Sequence, residues 1–252
     1  MVYGLYLSAD GLLAQQYRQD VIANNLANVD TPGFKADRVA FSERLTESML
    51  RQSPGARQPV LDPSTGGLFG TPVYTDYAQG NVIPSSNPFD LAILDNGFLA
   101  VQTPDGARYT RDGRLVADNE GTLRHVASGG AVLGADGQPI VIDPAAKGLV
   151  RIDESGRISQ GDAIIGKLGL VDFQDRQALE KAGQNLYDSR GTPQIAATGQ
   201  IKQGAYEASG VEPATALVDM ISAARAYEMN VSLISMQDES LGRAVNEVGR
   251  IG

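Results

Sequence analysis

The apolar residues near the C-terminal end recur at alternating spacings of three and four. The repeat comprises Leu217, Met220, Ala224, Tyr227, Val231, Ile234, Asp238, Leu241, Val245 and Val248. Nine of these ten side chains are apolar, and Asp238 is the exception. Such a repeat is typical of a coiled-coil seam and predicts one helix about 48 Å long. A second apolar set lies roughly across that helix and comprises Met229, Leu233 and Met236.

Residues 3–28 also predict a helix with two apolar stripes. The first stripe is Leu5, Ala9, Leu12, Gln16, Gln19, Ala23 and Leu26, and the second is Tyr6, Leu13, Tyr17 and Val21. At the other end of the chain, Pro213 suits the first position of the C-terminal helix, where its missing N–H costs nothing. Two core helices of one globular bundle are the alternative interpretation of these patterns.

The N-terminal helix is predicted to stop before Thr31-Pro32-Gly33-Phe34. Pro32 biases Thr31 away from the α region, and Pro-Gly suits the central positions of a type II turn. The Phe34 side chain can then anchor the turn by packing against other residues. A short helical pattern follows through Phe41, Leu45 and Met49.

Residues 51–88 contain six of the twelve prolines, which indicates an extended connector with one strand near Val73–Tyr77. Disorder is the alternative for this stretch, although its interspersed aromatic residues favour partial packing. From Phe89 to about Phe173, short apolar segments alternate with turn signals such as Asp95-Asn96-Gly97. That spacing predicts short antiparallel strands and leaves no room for crossover helices.

The predicted fold class is therefore α+β, with long terminal helices that pair as a coiled coil and a central, mostly antiparallel β domain. Five segments follow from the patterns. These are an N-terminal helical part (1–50), a connector (51–88), the β domain (89–185), an extended return segment (186–212) and a C-terminal helical part (213–252).

Charge and amino-acid composition argue against several classes of function. A net charge of −9 argues against nucleic acid and anionic membrane surfaces. No apolar run reaches the roughly 18 residues that span a bilayer, and the first residues lack the basic region of a cleaved signal peptide. Without cysteine, the chain has no disulfide and no thiolate ligand for zinc. These features favour a protein partner.

The sequence contains few of the residue patterns that catalytic sites require. His125 is the single histidine and is predicted to lie in an exposed loop. The segment Gly161–Lys167 approaches a phosphate-binding loop, but Leu168 replaces the required hydroxyl residue and no helical pattern follows. Adjacent acidic pairs, such as Asp153 with Glu154, are expected to be solvated. We predict no catalytic residue, no cofactor, no metal and no small-molecule substrate.

Three blocks of sequence resemble the bacterial flagellar rod and hook proteins. They are Ala23–Lys35, then Phe89–Val101 with Tyr109–Gly113, and finally Val211–Pro213 through Met220 to Arg225–Met229. The blocks occur in the same order as in that family and span nearly the whole chain. The length, Leu99 after Phe98 and the ending Asp238–Ala244 are most similar to members from the proximal part of the rod, with the distal rod second.

The resemblance implies an axial subunit exported through the flagellar type III apparatus without a cleaved signal. It implies a periplasmic rod in the basal body, with terminal helices forming an inner tube and the β domain outside. The implied partners are other copies of this chain and other proximal and distal rod proteins, with no direct membrane insertion. No catalytic residue carries over from the family.

The resulting hypothesis pairs the terminal helices along their seams and places the second stripes against neighbouring subunits, so that heterologous contacts build a helical filament. The residues assigned to these contacts are Leu5, Leu12, Gln16, Tyr17, Asn24, Asn25, Leu26, Asn28, Pro32, Gly33, Phe34, Leu217, Met220, Tyr227, Met229, Val231, Leu233, Ile234, Met236, Asp238 and Leu241. For the three Asn residues, local capping is an equal alternative. Distal rod or hook subunits, a cell-wall hydrolase built on the β domain and a monomeric scaffold are the competing hypotheses.

Asp238 poses a question of register. A carboxylate in an apolar seam needs a polar partner or water. An antiparallel pair with Leu5 level with Val248 places Gln16 level with Asp238, and this pair is predicted to fix the register. A solvated Asp238 at the edge of the seam is the alternative.

Overall fold

The structure is a computed structural model that describes residues 2–43, 68–70, 73–146 and 148–248. The chain divides into two compact units. The helical unit comprises Met1–Ala27, Asp37–Tyr74 and Pro213–Gly252. The β unit comprises Asn28–Ala36 and Thr75–Glu212. Helices at both ends and antiparallel strands between them confirm the α+β class.

The two long helices lie where the sequence predicts them. Helix α1 spans Val2–Ala27 and helix α2 spans Pro213–Val248. The second helix begins at the proline, as expected for a residue that has no N–H to lose in the first turn. Pairing of the two helices is described below from their side-chain contacts.

Within the helical unit, α1 and α2 run antiparallel and side by side. Ser8 accepts a hydrogen bond from Gln237 at 3.5 Å, and Arg18 lies 3.6 Å from Asp219. Most of the less exposed positions of α2 fall into two sets, each with a spacing of seven residues. One set is Met220, Tyr227, Ile234 and Leu241, and the other is Ala216, Ala223, Asn230, Gln237 and Ala244.

The predicted seam is therefore half correct. Its positions 220, 224, 227, 234 and 241 are partly buried, whereas positions 217, 231, 238 and 245 are exposed because the inward face lies one residue earlier. The predicted register is wrong. Gly11 faces Asn230, so five residues further along α1 Gln16 lies level with Arg225, about 20 Å along the axis from Asp238.

Short strands follow α1. They are β1 (Asp37–Arg38), β2 (Phe41–Glu43), β3 (Leu68–Gly70) and β4 (Tyr74–Thr75). Strand β2 pairs antiparallel with β3, with Ser42 opposite Phe69. The predicted short helix is therefore wrong at Phe41, while Leu45 and Met49 lie outside the described residues. Strand β4 confirms the strand expected near Val73–Tyr77.

The β unit continues with antiparallel pairs of short strands. They are β5 (Val82–Pro84), β6 (Leu91–Leu94), β7 (Phe98–Thr103), β8 (Gly106–Thr110), β9 (Leu115–Ala117), β10 (Leu123–His125), β11 (Ala131–Val132), β12 (Val150–Ile152), β13 (Arg157–Gln160), β14 (Ala163–Lys167), β15 (Leu170–Phe173), β16 (Glu180–Lys181), β17 (Tyr187–Asp188), β18 (Gln194–Ala196), β19 (Gln200–Gln203) and β20 (Ala205–Glu207). A short 3₁₀ turn covers Arg176–Ala178. The short antiparallel strands predicted from the turn signals are confirmed.

Strand β7 organises the core of this unit, because it pairs with β8, β11 and β15. Side chains alternate across a strand. Leu99 joins an aliphatic cluster with Leu91, Ile93 and Ile201, among others. Phe98 points the other way into an aromatic cluster with Tyr109, Phe173, Leu179 and Tyr187. The two clusters give the β unit its own hydrophobic core.

Candidate functional site: the signature turn and the exposed helix faces

The turn after α1, here called the signature turn (Asn28–Ala36), is part of the β unit. The N–H of Phe34 donates to the carbonyl of Thr31 at 3.2 Å, and Gly33 has φ +69°. These values confirm the predicted type II turn, which needs a positive φ at its third residue. A Cβ on Gly33 would lie 2.6 Å from backbone atoms of Arg111 and Asp112. Only glycine fits there.

Backbone hydrogen bonds join the signature turn to the segment that precedes α2. Gly33 N–H donates to the Glu207 carbonyl at 2.8 Å, and Gly210 N–H donates to the Phe34 carbonyl at 2.8 Å. The Asn185 side chain also donates to the Pro32 carbonyl at 2.7 Å. Lys181 Nζ lies 4.2 Å from the centre of the Phe34 ring, a cation–π distance. The two chain segments that connect with the helices are thus held together.

A buried ionic cluster lies under the turn. Lys35 Nζ donates to Glu207 Oε1 at 2.5 Å and to the Ala78 carbonyl at 2.7 Å. The Gly80 N–H donates to the same Glu207 oxygen at 2.7 Å. Burial lowers the pKa of the Lys35 ammonium, and the nearby Glu207 carboxylate opposes this effect without cancelling it. Lys35 and Glu207 are both almost fully inaccessible to solvent.

Arg111 completes the cluster. Its Nε lies 3.5 Å from Glu207 Oε2. Its Nη1 donates to the Gly97 carbonyl at 2.9 Å, and its Nη2 donates to the Asp95 carbonyl at 2.7 Å. Burial lowers the pKa of this guanidinium, and the Glu207 carboxylate opposes this effect without cancelling it. One cation therefore ties the turn before β7 to the carboxylate next to the signature turn.

Asp112 and His125 form a second buried polar group. Arg114 donates to both Asp112 carboxylate oxygens, at 3.0 and 2.8 Å. His125 Nε2 lies 3.5 Å from Asp112, and its Nδ1 lies 2.8 Å from Ser128 Oγ. The exposed-loop prediction for His125 is wrong, because its side chain is 0% exposed and turns inward beside Leu123 in β10. Burial raises the pKa of Asp112, but contacts from His125 and Arg114 outweigh it and hold the pKa below 3.8.

Two of the clustered asparagines, Asn25 and Asn28, form side-chain hydrogen bonds within the chain. Asn25 exchanges two hydrogen bonds with the Asp37 backbone, at 2.7 and 2.9 Å. The Asn28 side chain accepts from the Thr31 hydroxyl at 3.2 Å. Asn24 lies on an exposed position of α1. The Asn28 bond is local, as the capping alternative expects, whereas Asn25 bonds to a strand twelve residues away, and an intersubunit role stays a prediction.

The structure sorts the remaining predicted contact residues by exposure. Exposed in the single chain are Gln16, Tyr17, Leu217, Met229, Val231, Leu233, Met236 and Asp238. Partly buried are Leu5, Leu12, Leu26, Met220, Tyr227, Ile234 and Leu241, and buried in the β unit are Pro32, Gly33 and Phe34. Tyr6 and Met229 are 68% and 62% exposed, respectively. Both helices therefore carry apolar faces that nothing in the described chain covers.

Other candidates from the sequence do not assemble into a reactive site. The segment resembling a phosphate-binding loop lies across the β13–β14 hairpin and leads into β14. In the described residues, no group of three or more His, Asp or Glu side chains is placed to hold a metal ion. Across those residues, neither helix combines the length and apolar character needed to cross a bilayer.

Sequence reasoning missed the ionic cluster and the contact positions Gly4, Gly11, Asn230 and Gln237. Lys35 and Glu207 are 172 residues apart, so no local pattern links them. The burial of Glu207 could have been predicted from the strand pattern. Glu207 lies two residues after buried Ala205 in the same strand, and side chains two residues apart in a strand point to the same face.

Comparison with known proteins identifies the class. Residues 5–35 match the model "Flagella basal body rod protein", residues 92–160 match "Flagellar hook protein FlgE/F/G D1 domain", and residues 202–247 match "Flagellar basal body rod FlgEFG protein C-terminal". These matched ranges contain Gly33, Lys35, Arg111 and Glu207, which meet in the β unit.

Full-length relatives agree. The chain is 36% identical to the flagellar basal-body rod protein FlgG of Buchnera aphidicola subsp. Baizongia pistaciae, over 96% of this chain and 98% of the relative. It is 35% identical to the flagellar basal-body rod protein FlgF of Caulobacter vibrioides, over 98% of each chain. The chain therefore belongs to the flagellar basal-body rod protein family. It is a structural protein and not an enzyme, and its relatives include both FlgF and FlgG proteins.

Proposed function

We propose that this chain is an axial subunit of the proximal part of the flagellar rod, where it polymerises into the shaft that transmits torque to the hook. It reaches the periplasm through the flagellar type III apparatus. Its partners are other copies of itself and neighbouring rod proteins. The proximal assignment over the distal rod is supported by Leu99 after Phe98 and by the segment Asp238–Ala244.

One observation carries the assembly proposal. The two helices contact each other, yet large apolar side chains on both remain exposed. On α1 they are Tyr6, Leu13 and Tyr17, and on α2 they are Leu217, Val218, Ile221, Met229, Val231, Leu233, Met236 and Val245. An apolar surface of this extent is typical of an interface with another protein. Because the exposed faces of α1 and α2 differ, contacts between them are heterologous and can propagate a filament.

The test replaces apolar residues of the exposed helix face in the full chain. Met229→Glu with Leu233→Glu places two carboxylates in the proposed interface, where neighbouring subunits would have to bury them. In a strain that lacks the gene, this variant is expected not to restore motility, and the chain should be absent from purified basal bodies. The circular dichroism spectrum of the purified chain should be unchanged.

The matched control places the same charges on the β unit. Leu149 and Ile164 are as exposed as the helix residues, at 79% and 66%. Leu149→Glu with Ile164→Glu should restore motility. Full motility with the helix variant would contradict the proposal.

Proximal and distal positions are separated by a second experiment. The unsubstituted chain is expressed in two mutants of its own host. One mutant lacks the gene for this chain, and the other lacks a separate gene for FlgG. Rescue of the first mutant alone supports the proximal assignment. Rescue of the second mutant would show that the chain can serve as a distal subunit.

A further inference from the structure

Two glycines of α1 face two amide side chains of α2. Gly4 lies opposite Gln237 and Gly11 lies opposite Asn230, so the pairs are one heptad apart on both helices. A Cβ on Gly4 would lie 3.2 Å from Gln237 Nε2, and a Cβ on Gly11 would lie 3.1 Å from Asn230 Oδ1. Both distances are tighter than most Cβ contacts, so a Cβ at either glycine would require the facing amide to shift by a few tenths of an ångström.

The amides are held in place. Asn230 Nδ2 donates to the Ala226 carbonyl of its own helix at 3.0 Å, which directs Oδ1 toward Gly11. Gln237 Nε2 donates across the interface to Ser8 Oγ at 3.5 Å. Gln237 Oε1 is buried and makes no hydrogen bond within the described residues. A buried polar atom is costly to place, so its position strongly restricts the arrangements that the helices can adopt.

We propose that these two glycine–amide pairs set the antiparallel register of α1 and α2. Helix α1 has glycine at positions 4 and 11 alone. Sliding the helices by one heptad would leave one amide opposite a glycine, and a slide of thirteen residues, which aligns Gln16 with Asp238, would leave none. Single polar positions are known to specify register in helix pairs. The proposal concerns one chain and holds whether or not the chain polymerises.

The test uses engineered cysteines, because the chain has none of its own. Arg18→Cys with Asp219→Cys reports the observed register, since these side chains are in contact at 3.6 Å. Gln16→Cys with Asp238→Cys reports the shifted register. Each full-length pair is treated with a short thiol crosslinker, and denaturing electrophoresis separates intrachain products from dimers.

In the otherwise unsubstituted chain, the 18/219 pair should form the intrachain product and the 16/238 pair should not. Adding Gly11→Leu should reduce the 18/219 product about fivefold or more, the factor expected for an overpacked contact. The matched control is Gly242→Leu on α2, where nothing lies within 4 Å of the glycine, and it should leave the product unchanged.

A second variant does not rely on overpacking. Asn230→Leu keeps the helix and removes the polar atom, so the 18/219 product should fall and products from other registers should appear. Asn246→Leu, at an exposed position of the same helix, is its control. Three results would overturn the proposal. They are a dominant 16/238 product, no 18/219 product in the unsubstituted background, and equal effects of Gly11→Leu and Gly242→Leu.

Discussion

The β unit buries most of its large apolar side chains, whereas the helical unit leaves many of its own exposed. In the β unit, Leu, Ile and Phe side chains form two buried clusters, and the few buried charges are paired. In the helical unit, the contact between helices combines partly buried Met220, Tyr227, Ile234 and Leu241 with glycine, alanine, serine and amide side chains, while many other large apolar residues stay exposed. The first arrangement is complete within one chain. The second becomes favourable when neighbouring molecules cover the outward faces.

The largest expected effect breaks the ionic cluster of the β unit. Lys35→Met leaves the Glu207 carboxylate buried with Arg111 at 3.5 Å as its remaining cationic partner. Removing one member of a buried ion pair costs about 3–5 kcal/mol of unfolding free energy. Urea unfolding of the full chain measures this cost, and Lys202→Met at an exposed position is the control. A loss as small as that of the control would show that the cluster adds nothing to stability.

Leucines from the two units test the comparison directly. Leu99 is 0% exposed in the β unit, and Leu233 is 44% exposed on α2. Leu99→Ala should lower the free energy of unfolding by about 2–5 kcal/mol because it leaves a cavity. In the isolated chain, Leu233→Ala should change it by less than about 0.5 kcal/mol. Similar losses at both sites would refute the contrast between the units.

Alanine substitutions at two glycines distinguish the cost of backbone strain from the cost of steric crowding. Gly33 and Gly137 have φ of +69° and +76°, but only Gly33 has backbone atoms where a Cβ would lie. Both alanine variants share the cost of a left-handed residue, whereas Gly33→Ala should cost about 1–3 kcal/mol more from overpacking. Thermal unfolding compares the two alanine variants. Equal melting temperatures would mean that the signature turn accommodates the added Cβ without losing stability.

Acid should weaken the β unit through Asp112. Because the pKa of the folded carboxyl is below 3.8, its stabilising effect is present above that pH and is lost as the pH falls through the folded pKa. Asp112→Asn should be less stable than the parent at pH 7, and the difference should shrink below pH 3.8. Asp105→Asn, an exposed control, should follow the parent at every pH. A constant difference between parent and Asp112→Asn would remove Asp112 from the acid response.

The smallest effect is expected at Asp238. This side chain is exposed in the single chain, so Asp238→Leu should leave helicity and stability within about 0.5 kcal/mol of the parent. Circular dichroism and urea unfolding measure both properties. A clear gain or loss of helicity would place Asp238 in a contact that the single chain does not form.

Local patterns predicted the elements well and the contacts poorly. The heptad repeat and Pro213 located α2, and the Pro-Gly pair gave the correct turn, since these signals depend on neighbours in sequence. The repeat also marked apolar stripes, but it could not indicate which stripe the same chain covers. The observed face passes through Asn230 and Gln237, one residue before Val231 and Asp238, because small and amide residues pack more closely there.

The buried charges show the same limit. His125 lies in a turn-rich stretch, and its burial depends on the pairing of β10 with β9 and on the distant Asp112. Lys35 was visible as one member of a signature block, while its partner lies next to the far end of the β unit. Contacts between residues so far apart depend on the tertiary fold, which a single sequence does not specify by pattern alone.

The hydrogen bonds between Gly33 and Glu207 and between Phe34 and Gly210 have an evolutionary consequence. They bring the two ends of the intervening chain next to each other, which is the geometry that tolerates inserted domains. Hairpins such as β13–β14 could lengthen, shrink or be exchanged without changing the spacing of those ends. We therefore expect changes of length in such hairpins to leave the hydrogen bonds of Gly33 and Phe34 with the segment before α2 intact.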